Sequence, residues 1–130
     1  MTQKHECADV TRQFLAHAID NTNFHHTDHV RVAFDLLHQH DFIDAACLYA
    51  KGIRTIAANA GAPQKFNLTI TYAFMSLIAE RMHPDQDCDF EGFVAANPDL
   101  MSKEALYKWY GTERLHTDTA RSVFLLPKDG

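Results

Sequence analysis

Residues 24–40 read Phe24-His25-His26-Thr27-Asp28-His29-Val30-Arg31-Val32-Ala33-Phe34-Asp35-Leu36-Leu37-His38-Gln39-His40, and their spacing decides the fold. On a helix that turns about 100° per residue, with Ala33 as reference, Val30, Leu36 and Leu37 fall within roughly 60° of it. So do His26, His29 and His40. Asp28, Arg31, Asp35, His38 and Gln39 take the opposite half, and His25 lies at the edge, about 80° away. The stretch is therefore an amphipathic helix whose apolar face carries two imidazoles, one turn apart, toward a core.

Imidazole binds divalent metals and titrates nearest neutrality, so a core-facing pair at i and i+3 suits metal coordination or proton transfer. Two ligands fall short of a metal site, and no H-E-x-x-H or C-x-x-C set supplies the rest. Three readings stay open. His26 and His29 hold a divalent transition metal; or they line a metal-free pocket with His29 as general base; or they are buried and satisfied by ordinary hydrogen bonds.

Outward from this helix, apolar residues recur at three and four with little period-two alternation, which predicts an all-α protein. A first helix over about Cys7–Ile19 buries Val10, Phe14, His17 and Ala18, and Asn21-Thr22-Asn23 makes the turn. Asp41 or Asp44 caps a third helix carrying Ala45, Ala46, Tyr49, Gly52, Ile53 and Ile56 on one face. Asn59-Ala60-Gly61-Ala62-Pro63 stops it.

A fourth helix, about Phe66–Arg81, turns Ile70, Phe74, Leu77 and Ile78 inward, with Asn67 and Thr71 on the same side. After the polar break His83–Asp87, Phe90–Ala96 forms a short helix closed by Asn97-Pro98. Ser102–Ala105 caps another that runs to Tyr110 before Gly111. The segment Thr119–Pro127 is too apolar for a free end and packs along the domain or a second copy. These elements describe a compact single-domain helical bundle, residues 1–130, of about five or six helices with an extended C-terminal tail.

With 17 acidic against 12 basic side chains, a net charge of −5 and no Lys/Arg run, the chain is not built for a nucleic-acid partner. Its apolar runs fall short of the ~20 residues of a membrane helix. Cys7, Cys47 and Cys88 are odd in number, and Met1–Glu6 leads straight into an amphipathic pattern, so a reduced, soluble, cytoplasmic protein is expected. None of the three thiols sits in an activating context, and Cys47 falls on an outward helix face. Tyr107, Trp109 and Tyr110 read as core or interface, or as a pocket wall.

With these residues in hand, the chain resembles a family of small, largely uncharacterised bacterial helical proteins. The first shared motif is an aromatic residue, x-His-x-x-His, an aliphatic residue, Arg and a small-residue helix, met by Phe24, His26, His29, Val30, Arg31 and Ala33. The second is an aromatic residue, His and a Thr-aliphatic-Thr step, and here Phe66-Asn67-Leu68-Thr69-Ile70-Thr71 carries Asn67 in place of the histidine. A third, near the C-terminus, is met by Ala120, Arg121, Phe124 and Pro127. If the family's histidines gather around one metal, Asn67 leaves at best a weaker amide oxygen. Its donor and acceptor equally suit a substrate.

The expected site is a pocket between the second and fourth helices, walled by His26, His29, Asn67 and Thr71, with Tyr49 orienting a ligand or a histidine. The leading reading is a small-molecule enzyme or binding protein, with His26 and His29 as catalytic residues and metal ligands and Asn67, Thr71 and Tyr49 binding substrate. The alternative is a metal-free structural or interaction module, a homodimer whose histidines satisfy buried polar needs.

Overall fold

The computed structural model describes residues 6–127; the chain start read above, Met1–His5, lies outside the described residues. Within them the chain is all-helical and contains seven α-helices, one or two more than the spacing predicted. They are α1 (Asp9–Leu15), α2 (His26–Gln39), α3 (Phe42–Asn59), α4 (Leu68–Met82), α5 (Phe90–Ala96), α6 (Tyr107–Leu115) and α7 (Asp118–Ser122). Single 3-10 turns fall at Asn21–Asn23, Pro63–Lys65 and Pro98–Met101. No described helix is long and apolar enough to cross a membrane.

Local chemistry sets the boundaries. Asp41, rather than Asp44, caps α3 by accepting from the Asp44 N–H at 2.8 Å. At the far end Gly61 takes φ +73°, the Gly61 N–H donates to Ala58 O at 3.0 Å and the Ala62 N–H to Ala57 O at 2.9 Å. That paired closure needs a left-handed residue, which glycine adopts without a Cβ penalty. The same closure ends α1, where His17 holds the left-handed position at φ +57°. His17 is therefore exposed rather than turned inward, and Ala18 follows it into solvent. The helix expected from Ser102 starts only at Tyr107, because residues 102–106 make turns, and Gly111 at φ +73° kinks it just past Tyr110.

The largest departure from the sequence pattern concerns α2. Val30, Val32, Ala33, Phe34, Asp35 and Leu36 are all 0% exposed, so the helix is buried nearly all round. It packs against α1, α3, α4 and the Pro98–Met101 turn. Asp35, assigned by its helix angle to the outer half, lies under α1. Its carboxylate accepts from the Ala8 N–H at 3.0 Å, Thr11 Oγ1 at 2.6 Å and Arg31 Nε at 3.1 Å. The Arg31 guanidinium also covers the Phe90 ring at 4.9 Å.

On its other side α1 inserts Phe14 against α3, where Gly52 makes room; a Cβ there would overlap the Phe14 ring. Phe14 stacks on Phe24 and Tyr49, at centroid distances of 6.1 and 5.9 Å. The C-terminal segment is partly helical instead of wholly extended, since Thr117 caps the single turn of α7. Beyond it the backbone is held along α4 and α6. Thr69 Oγ1 donates to Val123 O at 2.7 Å and accepts from the Leu125 N–H at 3.1 Å, and Tyr110 Oη donates to Leu125 O at 2.9 Å.

Asp35→Ala leaves Thr11 and Arg31 without their buried acceptor and is expected to destabilise the fold by about 3 kcal/mol. Gly52→Ala forces Phe14 out of its seat and should cost about 1–3 kcal/mol. Urea unfolding of both variants measures this; midpoints equal to wild type would show that neither contact matters to stability.

Candidate functional site

A cavity of about 550 Å³ opens between the first turns of α2 and α4, the middle of α3 and the segment 103–116. His26, His29, Tyr49, Asn67 and Thr71, the five residues singled out from sequence, all line it. The remaining wall is mostly apolar and includes Phe24, Ile53, Ile70, Phe74, Leu106 and Leu115. His25 caps α2 at the rim, its backbone N–H donating to Asp28 Oδ2 at 3.0 Å.

His26 is positioned from a distance. Arg81 on α4 forks onto Asp99, with contacts of 3.0 and 2.8 Å to the two carboxylate oxygens, and reaches Asn97 Oδ1 at 3.0 Å. The guanidinium holds the Asp99 carboxyl below its usual range, first through those hydrogen bonds and also through its charge. This pins the Pro98–Met101 turn, whose Leu100 carbonyl accepts from His26 Nε2 at 2.9 Å. A carbonyl only accepts, so Nε2 carries a proton and Nδ1 is the nitrogen left over. The His26 ring also meets Phe74 edge-on at 5.3 Å.

His29 packs on Phe24, with centroids 4.4 Å apart, and its Nδ1 lies 3.3 Å from Tyr49 Oη. Burial lowers its pKa from 6.5 to about 4, with the His26 charge pushing the same way, Asp28 opposing and Lys103 adding a smaller downward push. Burial also raises the Tyr49 phenol well above its ordinary value. Near pH 7 the pair is thus a neutral imidazole beside a neutral phenol. Either can donate to the other, and the hydroxyl orients the ring.

Asn67 lines the cavity but serves first as the cap of α4: Oδ1 accepts from the Ile70 N–H at 3.0 Å and Nδ2 donates to Leu115 O at 2.6 Å. Thr71 Oγ1 donates back to Asn67 O at 2.7 Å, leaving its oxygen free to accept. These engagements bear on the metal expectation. His26 Nε2 is taken by the Leu100 carbonyl, Asn67 has both amide ends in use, and the described residues contain no group of three or more His, Cys, Asp or Glu side chains able to hold an ion. The donor set does not fit a metal centre.

Sequence reasoning missed Lys65, Lys103 and His116, which also line the cavity, as does Tyr107, read above as core, interface or pocket wall. Lys65 directly precedes the Phe66-Asn67 step and was within reach of a sequence reading; the other three arrive through tertiary packing. Of the other histidines, His40 borders a second, smaller hollow beside His38 and His83, and His17 stands apart in solvent. Cys7, Cys47 and Cys88 are partly buried and free of disulfides, and burial pushes the Cys7 and Cys88 thiols up, away from nucleophilic character. Compared with protein-family models, with curated proteins and with solved structures, the chain matches none of them.

His29 should titrate with a midpoint of about 4 in the folded protein, against 6.5 in the unfolded chain. Between those values the unfolded state binds more protons, so this contribution is fully present above about pH 6.5 and is lost as pH falls toward 4. Imidazole NMR titration reads the midpoint, and pH-dependent unfolding of His29→Phe should show a shallower acid-side slope than wild type. A His29 midpoint near 6.5 would refute the buried neutral state.

Proposed function

We propose that this protein binds a small organic molecule in the cavity between α2, α3, α4 and the segment 103–116. The observation that carries the reading is a mostly apolar cavity of about 550 Å³ with a few polar groups, His26, His29, Tyr49 and Thr71, converging on it. That volume and that mixture suit a compact ligand buried by apolar walls and oriented by hydrogen bonds.

Binding is favoured over general-base catalysis. A base with a pKa of about 4 stays neutral at pH 7 but draws a proton weakly from a substrate. His26, with Nε2 engaged by the Leu100 carbonyl, offers Nδ1 as its remaining group. Hydrogen bonding is the chemistry these two residues perform best. The metal-dependent version of the reading, with His26 and His29 as ligands, needs a donor that Asn67 does not supply.

The test uses N-phenyl-1-naphthylamine, a neutral apolar fluorophore, titrated into wild type and into Ile53→Trp, which fills the cavity from α3. Saturable fluorescence enhancement in wild type, lost in a still-folded Ile53→Trp, is the expected result. No saturable binding, or equal binding by both proteins, would favour the interaction-module reading. Elemental analysis of untagged protein beside His26→Ala/His29→Ala should find no stoichiometric metal in either; near-stoichiometric metal lost in the variant would restore the metal site.

A further inference from the structure

The charge on the cavity wall is opposite to that of the chain. The protein as a whole carries 17 acidic and 12 basic side chains. The wall contains Lys65 and Lys103, together with His25, His26, His29 and His116, and no aspartate or glutamate. Among the described residues neither lysine forms an ion pair, and two of the acids that do, Asp35 with Arg31 and Asp99 with Arg81 and Lys108, lie off the cavity wall. Asp28 is the nearest countercharge on α2, and it is turned to the His25 backbone at the rim.

Helix direction adds to this. α2 and α4 both begin at the cavity, contributing His26 and His29 from the one and Ile70 and Thr71 from the other. Each is long enough to present the positive end of a helix dipole, which favours an anion near the first turn. The field reaches inside, since the Lys103 charge helps lower the His29 pKa. Lysines without an ion pair, on a wall that also carries two helix starts and the apolar side chains of Phe24, Ile53, Ile70 and Phe74, make a site that accepts both a negative charge and an apolar body.

Resting on the small-molecule reading above, we propose that the ligand is an organic anion: a single acidic head group on an apolar body. The head is held by Lys65 and Lys103 at the helix starts. The body lies against Phe24, Ile53, Ile70 and Phe74, and His29 with Tyr49 hydrogen-bonds any polar group carried on it. A cation or a polyhydroxylated neutral molecule finds neither a carboxylate partner nor enough polar wall.

The experiment compares two probes that share a fused aromatic body, 8-anilinonaphthalene-1-sulfonate, an anion, and neutral N-phenyl-1-naphthylamine. Each is titrated by fluorescence into wild type, Lys65→Met/Lys103→Met and Ile53→Trp, all verified as folded by circular dichroism and thermal melting. Wild type should bind the sulfonate about tenfold more tightly than the neutral probe, two exposed charge contacts each contributing a few-fold. The double lysine variant should lose that preference while retaining the neutral probe, and Ile53→Trp should lose both. Equal affinity for the two probes in wild type, or a sulfonate preference that survives removal of both lysines, overturns the organic-anion proposal and leaves the small-molecule reading standing. Failure of both probes to bind wild type, or binding of both to the filled cavity, overturns the two together.

Discussion

The buried Asp35 carboxylate is the contact on which the arrangement around the cavity depends. It sits on the central helix, sealed from water, and is tolerable there because Ala8, Thr11 and Arg31 supply hydrogen bonds and a countercharge. Those partners hold α1 across α2. With α1 in place, Phe14 reaches the gap at Gly52 and stacks on Phe24 and Tyr49. Phe24 and Tyr49 are the two residues that back His29. One ionised group thus connects the N-terminal helix to the rear wall of the pocket.

The front wall depends on a second ionic contact. Arg81 and Asp99 fix the Pro98–Met101 turn, and the Leu100 carbonyl sets the ring of His26. The two histidines are therefore held by different parts of the chain, although they are only three residues apart. The neutral state of His29 follows from burial, while the lysines keep positive charge on the same wall. Apolar side chains, a neutral hydrogen-bonding pair and two lysines thus share one wall, and the two histidines have separate structural supports.

Much of the helical pattern was legible because helix formation leaves a local signature. Asp41 before α3, the Gly61 stop and the Asn97-Pro98 close appear in the structure where turn and cap chemistry require them. The ends misread were those where local chemistry admits two outcomes. His17 accepts a left-handed backbone that normally selects glycine, and residues 102–106 make turns in place of a helix start. The polar residues picked from the helix faces share one cavity because i, i+3 and i+4 positions at the starts of two adjacent helices face the groove between them.

By itself the sequence determined the all-helical class, the run of helices α2 to α5 and the face on which His26, His29, Asn67 and Thr71 stand. These follow from periodicity and capping, which act over a few residues. Tertiary structure alone decided that α2 is buried nearly all round, that Asp35 is buried, and that Lys103, Tyr107 and His116 join the cavity from 103–116. Helical phase distinguishes one face from the other but does not say how many neighbours a helix has. A charged residue on the outer half reads as solvated until another helix is laid over it.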